Sequence, residues 1–436
     1  MGVGWVEERA CPRVREACWQ TTGGFSWEDR PVVGMRIRHD GDEMQAAIWG
    51  RLEEEARGML ERMLNRTLET ERMLFLGCMP YERTAERRGR RNGYHGRGLD
   101  TRWGRVRLRM PKVREAGERF RVRSVRAYQR RQGALEACAV EWVASGMATR
   151  AVSREMRRAF GAIMSAGTVS RLVAQVDEER AAFQRRRFER GYRFVYLDGK
   201  HGKVSRPSRR RGRGRAKKAV LLLAWGIRHD GSEELIDFRV APDESEASWD
   251  GLLRSLRERG LTEANRWDER LERIISDGDS GLAAALALNY PDTPHQICIF
   301  HKVKNLLADL ADKSCKGLIQ PEAGRIFEAR TRAQALARLA SWRRRWKEIE
   351  PIAVGHFVRD IDQMLLFYAS PPRLRSRLKT SNPIERFIRE LNRKFERVGV
   401  FPTTKSWERA TYLVYRQLVQ RGYAPIKHKI SFTPTP

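Results

Sequence analysis

Between Asp42 and Leu76 apolar residues return every three or four positions, and Ile48, Leu52, Ala56, Met59 and Met63 make one stripe. That is the helical period. It predicts a helix whose stripe packs on its own domain, with pairing of two copies as the alternative. The same period recurs from Ala134 to about Phe188. Ala148 to Phe160 reads as one helix closed by Gly161. Ser165-Ala166-Gly167-Thr168 reads as a turn and N-cap before Val169 to Val176. Two short helices around a glycine-containing turn predict a helix-turn-helix-like unit. Between these helical stretches, Arg91-Asn92-Gly93-Tyr94 reads as a turn. Trp103 to Met110 alternates instead, which predicts a strand with Arg105, Arg107 and Arg109 on one face.

The middle of the chain changes period. Phe194 to Leu197, Ala219 to Ile227 and Leu235 to Val240 are strand-like apolar runs. A helix with Trp249, Leu252, Leu253 and Leu256 on one side follows. Then come a strand at Arg273 to Ser276, a small-residue helix at Gly281 to Leu288, and a fifth strand at Gln296 to Phe300. The order β-β-β-α-β-α-β predicts a ribonuclease-H-like α/β fold, three antiparallel strands extended by parallel ones. Asn305 to about Ser370 is helix-rich without a strand signal, and Pro371-Pro372 closes it. Trp342 and Trp346 bracket three arginines there. They fit a nucleic-acid surface and a helix core equally well. No period of 20 to 50 residues is visible, which excludes a solenoid.

Charge sharpens this picture. The 436 residues hold 86 Lys and Arg against 55 Asp and Glu, a formal charge of +31. Such a surplus attracts a polyanion, and arginine suits bidentate phosphate contacts. From Arg83 to Arg131 there are eighteen basic residues and four acids, and from Arg206 to Lys218 eight and none. The latter predicts a DNA-gripping loop between the first two central strands. At 41% hydrophobic residues, general disorder is excluded. The longest apolar run, Ala219 to Ile227, is far too short for a membrane span. With no apolar signal core after Met1, the chain reads as cytosolic. Six scattered cysteines without a CxxC unit argue for reduced thiols.

Cutting a phosphodiester requires an activated attacking oxygen and a stabilised leaving oxygen. Two divalent ions held by carboxylates at strand ends and helix starts can supply both. Asp198 follows Tyr196-Leu197 and precedes Gly199, so it is read as a strand terminus. Asp277 follows Ile274-Ile275-Ser276 and precedes Gly278 in the same way, with Asp279 as a rival. For a third acid, Asn382-Pro383-Ile384-Glu385 reads as N-cap, N1, N2 and N3. Glu385 there could simply close a capping box. Glu390 and Glu396 lie on the same helix. Cys298 and His301 have a zinc-like spacing but no second pair, so a packing role is expected instead.

These residues fall in a recognisable order. Arg91-Asn92-Gly93-Tyr94, Tyr196-Leu197-Asp198-Gly199, Glu244-Ser245-Glu246 with Trp249, and Ile275-Ser276-Asp277-Gly278 with Gly281-Leu282 come first. Gln296 to His301 with Asn305, Thr380 to Arg386, and Val398-Gly399-Val400-Phe401-Pro402 follow. Together they resemble the Mutator-type bacterial insertion-sequence transposases of the DDE superfamily, over about three-quarters of the chain. Lys304 stands where an arginine is expected, and the Arg206 to Lys218 loop is longer and more basic than the expected hairpin.

The resemblance implies an acidic triad of Asp198, Asp277 and Glu385 holding two Mg²⁺ ions, with Mn²⁺ as a substitute. Cys298, His301 and Asn305 would support the site. It implies an enzyme that binds the terminal inverted repeats of its element and cuts and joins double-stranded DNA, as a homodimer or larger on DNA, at the prokaryotic nucleoid. Phosphate contacts are expected from Arg91, Arg105, Arg107, Arg109, Arg210, Arg211, Arg213, Lys217 and Arg386. The expected layout is a poorly structured extension (1–41), an N-terminal helix (42–80) and a basic DNA-binding region (81–190). The ribonuclease-H-like catalytic domain (191–304 and 371–425) is interrupted by a helical insertion (305–370), and a tail (426–436) ends the chain.

Overall fold

The computed structural model describes residues 41–162, 164–205, 216–262, 269–396 and 398–421. The extension expected before Gly41, the tail, and Arg210, Arg211 and Arg213 lie outside these residues. The chain divides into two compact units after Met59. In the first, helix α1 (Gly41–Leu76) begins, and its Ile48, Leu52 and Met59 are about half exposed. The stripe expected to pack on its own domain is therefore not the packed one. In the second unit, where α1 continues, the buried stripe is Leu60, Leu64 and Leu68, which meets Leu99, Val106 and Leu108. Both stripes have helical spacing, so periodicity alone did not choose between them.

Strands β1 (Arg90–Thr101) and β2 (Gly104–Arg114) form the antiparallel hairpin that Leu68 covers. Val106, Leu108 and Met110 face inward, and Arg105, Arg107 and Arg109 face solvent, as the alternation requires. The segment Arg91–Tyr94 is not a chain reversal. It is an irregularity within β1, opposite Pro111, with Gly93 at φ +66°. Proline offers no N–H to the ladder, and the left-handed glycine absorbs the extra residue.

Three helices follow, α2 (Gly133–Ala144), α3 (Thr149–Phe160) and α4 (Ala166–Arg185). Leu135, Ala139, Val152, Met156 and Val169 pack them together. Gly161 closes α3 at φ +61°, and the Ser165 hydroxyl accepts from the Thr168 N–H at 3.1 Å. The helix-turn-helix-like unit is thus capped at both ends of its turn.

The central sheet contains β3 (Tyr192–Ser205), β4 (Ala216–Arg228), β5 (Glu233–Ala241), β6 (Arg273–Ser276) and β7 (His295–Ile297). Its order is β5-β4-β3-β6-β7. β4 runs antiparallel to both its neighbours, β3 and β5, while β6 and β7 run parallel to β3. This is the ribonuclease-H-like arrangement that the element order predicts. Helices α5 (Glu246–Glu258) and α6 (Ser280–Asn289) lie between the later strands. Val195 and Leu197 of β3 share a core with Trp249, Leu252 and Leu282 of these helices.

Phe194 and Tyr196 point the other way. They join a larger core with helices α7 (Ile299–Asp309), α8 (Lys316–Phe327), α9 (Arg332–Trp346), α10 (Pro351–Arg359) and α11 (Ile361–Met364). Helices α12 (Pro372–Leu378), α13 (Asn382–Phe395) and α14 (Thr404–Gln420) complete that side. Among the described residues the helices α7–α11 carry no strand. Trp342 and Trp346 are buried in them, and the Trp346 indole donates to Glu322 at 2.7 Å. Of the two readings of these tryptophans, the structure selects the core.

The fifth strand is shorter than expected. It stops at Ile297, and Cys298 is the N-cap of α7, which places His301 in that helix's first turn. An unbroken apolar run crosses the strand–helix junction, so its pattern carries no boundary. Gly281 explains one spacing in the motif set. A Cβ there would stand 2.4 Å from the Glu244 carbonyl oxygen and 2.9 Å from the Glu246 nitrogen. The α6 start thus lies against the backbone that opens α5, and a backbone neighbour cannot rotate away. Gly281→Ala should lower stability by about 1–3 kcal/mol, read as a lower urea midpoint at unchanged m. An unshifted midpoint would mean the close approach is unimportant.

Candidate active site

Tyr196 of β3 pairs in register with Ile275 of β6, so Asp198 and Asp277 lie at matching positions two residues further on. Here β3 and β6 part. β6 ends at Ser276, whereas β3 runs on to Ser205 against β4. Asp198 is therefore not a strand terminus, as its local sequence suggested, but a mid-strand residue paired with Leu223. Its side chain shares the parity of Tyr196 and is only 8% exposed. It borders the notch left where its parallel neighbour stops. The polar residues Lys200, His201 and Lys203 hid the continuation of this strand.

Glu385 approaches the same notch in the first turn of α13. The N-cap of that helix is Ser381, not Asn382, which is the first helical residue and is exposed. The Ser381 hydroxyl donates to Glu385 Oε1 at 2.5 Å, so the carboxylate is held by a side chain. No capping box is formed.

The Asp198 carboxyl is sensitive to both of the other acids. Burial pushes the Asp198 carboxyl up to about 7, and Asp277 and Glu385 both add to that rise, against His301. His301 is pushed up to about 9, chiefly by its hydrogen bond with Cys298, then by Asp198 and Asp277. Burial alone would raise the Cys298 thiol, but hydrogen bonding with His301 and Ser381 brings it below its ordinary value. Cys298 Sγ lies 3.4 Å from Ser381 Oγ. Cys298, His301 and Glu385 offer ligand-type atoms within 4.8 Å of one another. Asn305 is exposed one turn further along α7.

The rival acids have other employment. Asp279 caps α6, accepting from Gly281 N at 2.9 Å and Leu282 N at 3.3 Å. Glu390 is paired with Arg393 through their side chains, and Glu396 is exposed. Sequence reasoning assigned no role to Glu244. A Cβ on Gly199 would come within 1.7 Å of its Oε1, so this carboxylate lies against the strand beside Asp198. Burial pushes Glu244 up, and Asp277 and Asp279 add to the shift. Asp277 is thus the member coupled both to Asp198 and to Glu244. A glutamate just before a helix gives no local signal that separates this position from ordinary capping.

The residues present suit a hard divalent cation. Crowded carboxylates, one of them nearly buried, repel one another unless a proton or a cation lies among them. The His301 Nδ1 atom is buried with no hydrogen-bond partner among the described residues. Beside Cys298 and His301 only Glu385 offers a further ligand-type atom among the described residues, one short of the four that a structural zinc takes.

The expected phosphate contacts divide. Arg105, Arg107, Arg109 and Lys217 are exposed. Arg386 lines a cleft of about 520 Å³ with Arg389 and Arg393 along α13, where Glu390 and Glu396 also stand. Arg91 instead turns inward and donates to the carbonyls of Cys78 at 3.1 Å and Met79 at 3.2 Å. Its guanidinium ties the end of α1 to the hairpin and is withdrawn from the DNA-facing set.

No helix among the described residues is long and apolar enough to cross a membrane. The family model described as "Transposase, Mutator family" matches residues 40–421. The transposase for insertion sequence element ISRM5 of Rhizobium meliloti (strain 1021) is 31% identical over 350 residues, 80% of this chain and 84% of that one. The transposase for insertion sequence element IS905 of Lactococcus lactis subsp. lactis (strain IL1403) is 29% identical over 83% of this chain and 88% of its own. Among solved structures, the Drosophila P element transposase strand transfer complex matches 69% of this chain and 93% of that chain. Its identity is 11% and its TM-score 0.33, too distant to bear on the site. With a family match running from before α1 to the end of α14, this chain belongs to the Mutator family of transposases.

Proposed function

We propose that this transposase cuts and joins DNA by divalent-metal chemistry at Asp198, Asp277 and Glu385, acting on the terminal inverted repeats of its own element. The observation that carries this reading is the register of Tyr196 with Ile275, which sets Asp198 and Asp277 at matching positions of adjacent strands; burial raises the Asp198 carboxyl, and Asp277 and Glu385 add to that rise. The three carboxylates would hold two Mg²⁺ ions, or Mn²⁺ in their place. When bound, such a pair supplies an activated attacking oxygen and charge stabilisation for the leaving oxygen.

The chain's own residues do the rest. Ser381 fixes one oxygen of Glu385 and leaves the other for the site. The His301 imidazolium sits beside Asp198 and Asp277 and offsets their charge. Arg386, Arg389 and Arg393 would track the phosphates of the strand being processed, and Arg105, Arg107, Arg109 and Lys217 would grip duplex at a distance. Joining two element ends to one target requires two sites, so a dimer or larger assembly on DNA follows. The place of action would be the nucleoid of a prokaryotic cell.

The test uses the full chain, Mg²⁺ and duplex carrying the inverted repeats that flank its gene, with a supercoiled plasmid as target. The expected product is repeat DNA joined covalently to plasmid through its 3′ end. Cleavage without joining would make the protein a nuclease of the same fold. Binding without cleavage would make it a catalytically silent DNA-binding protein.

A further inference from the structure

Tyr128 is a bulky aromatic residue, 93% exposed, on a backbone at φ +63°. The left-handed region is costly for such a side chain and persists only where the surroundings impose it. Here they do. The guanidinium of Arg97 donates to the carbonyls of Arg126, at 3.2 Å, and Gln129. The Gln129 amide closes the turn onto the Arg126 carbonyl at 3.1 Å, and the Gln129 side chain accepts from Arg126 N at 3.1 Å. Asp100 anchors the far end, donating N–H to the Arg130 carbonyl at 2.9 Å and accepting from Gln132 N at 2.8 Å. The turn is tightly fixed, and what it displays is one tyrosine ring.

That ring borders a cleft of about 710 Å³, lined also by His95, Arg97, Arg105 and Arg130 with Asp100 the one acid. Arg105 and Arg130 are exposed at its edge. An aromatic face beside exposed guanidinium groups is the chemistry that holds an unstacked nucleotide, with the base on the ring and the phosphates on the cations. Duplex DNA keeps its bases stacked inside, so an exposed ring at the rim of a cleft suits a base that has left the helix.

We propose that this cleft binds a single unstacked nucleotide of the DNA, its base lying on Tyr128 and its phosphates on Arg105 and Arg130. The site is formed by the hairpin and the turn after it, apart from the carboxylates. The proposal rests on the reading of the chain as a DNA-binding transposase.

The test measures affinity of the full chain for two fluorescein-labelled duplexes of one sequence, one fully paired and one with a single unpaired adenosine. The wild type should prefer the bulged duplex by about tenfold, the scale of one base–aromatic stack. Tyr128→Phe should keep the preference and Tyr128→Ala should lose it, with affinity for paired duplex unchanged. Tyr128→Gly separates this from a structural role. Glycine suits φ +63°, so its melting temperature should equal or exceed that of the wild type while the preference disappears. Equal wild-type affinity for the two duplexes, or an undiminished preference in Tyr128→Ala, overturns the cleft assignment and leaves the DNA reading intact. Failure of the wild type to bind either duplex overturns both.

Discussion

Asp277→Asn should reduce joining of repeat ends to target DNA by at least about a thousandfold, with DNA affinity changed by less than about threefold. The size follows from the role. A carboxylate that holds the charge acting on both attacking and leaving oxygens contributes several kcal/mol to the transition state, and each 1.36 kcal/mol is tenfold in rate. Asp198→Asn and Glu385→Gln should behave alike, because Asp198 is coupled to both other acids. Three neighbours supply the contrast. Asp279→Asn keeps a capping side chain at the start of α6 and should remain close to wild type. Glu390→Gln and Glu396→Gln should also remain active, the first losing only its pairing with Arg393. The assay is strand joining on a plasmid, with binding by fluorescence anisotropy as the control. Full activity in Glu385→Gln, or its loss in Asp279→Asn, would remove the assignment of the triad.

The second large effect is on stability, and it has the opposite sign. The Asp198 carboxyl is raised from 3.8 to about 7. A raised folded-state pKa means that the native protein binds this proton more tightly than the unfolded chain. Stability from that proton is present below about pH 4 and lost as pH rises to about 7. Across that window the loss is at most about 4 kcal/mol, since one pKa unit is about 1.4 kcal/mol. Asp198→Asn removes the charge and with it the loss. In EDTA the variant should therefore unfold at higher urea than the wild type at pH 8, and the two should converge toward pH 4. Millimolar Mg²⁺ at pH 8 should raise the wild-type midpoint and leave the variant where it was, because a ligand stabilises only the state that binds it. A wild-type midpoint that ignores both pH and Mg²⁺ would show that Asp198 is not confined among other acids.

Much of this was legible in the chain, and particular residues show where legibility ended. The run from Ala219 to Ile227 carries no polar side chain, and Ile274-Ile275 is the apolar centre of a fully buried strand, because both faces of those strands are covered, so they could be read directly. Asp277 was readable for the same reason, since it stands where β6 stops. Asp198 was singled out as a strand terminus, a reading that the structure corrects. The apolar pattern ends at Leu197, but the strand does not, because one edge of β3 stays paired to β4 after β6 has left. Glu385 could not be chosen from its own surroundings, where it resembled a capping residue. What distinguishes it is the Ser381 hydroxyl that holds it and its influence on the buried Asp198. Glu244 and the inward turn of Arg91 depend on contacts remote in sequence, which no local period encodes. The exposed apolar stripe of α1 is the converse case, a correct helix with its packed face misassigned.

Asp198, Asp277 and Glu385 together should hold divalent cations. Crystals of the full chain soaked in Mn²⁺ and measured at the manganese absorption edge address this without reference to activity. Anomalous peaks are expected among the carboxylate oxygens of these three residues, absent from crystals of Asp277→Asn. Peaks confined to Asp279, Glu390 or the surface, with none between Asp198 and Asp277 at millimolar Mn²⁺, would contradict it.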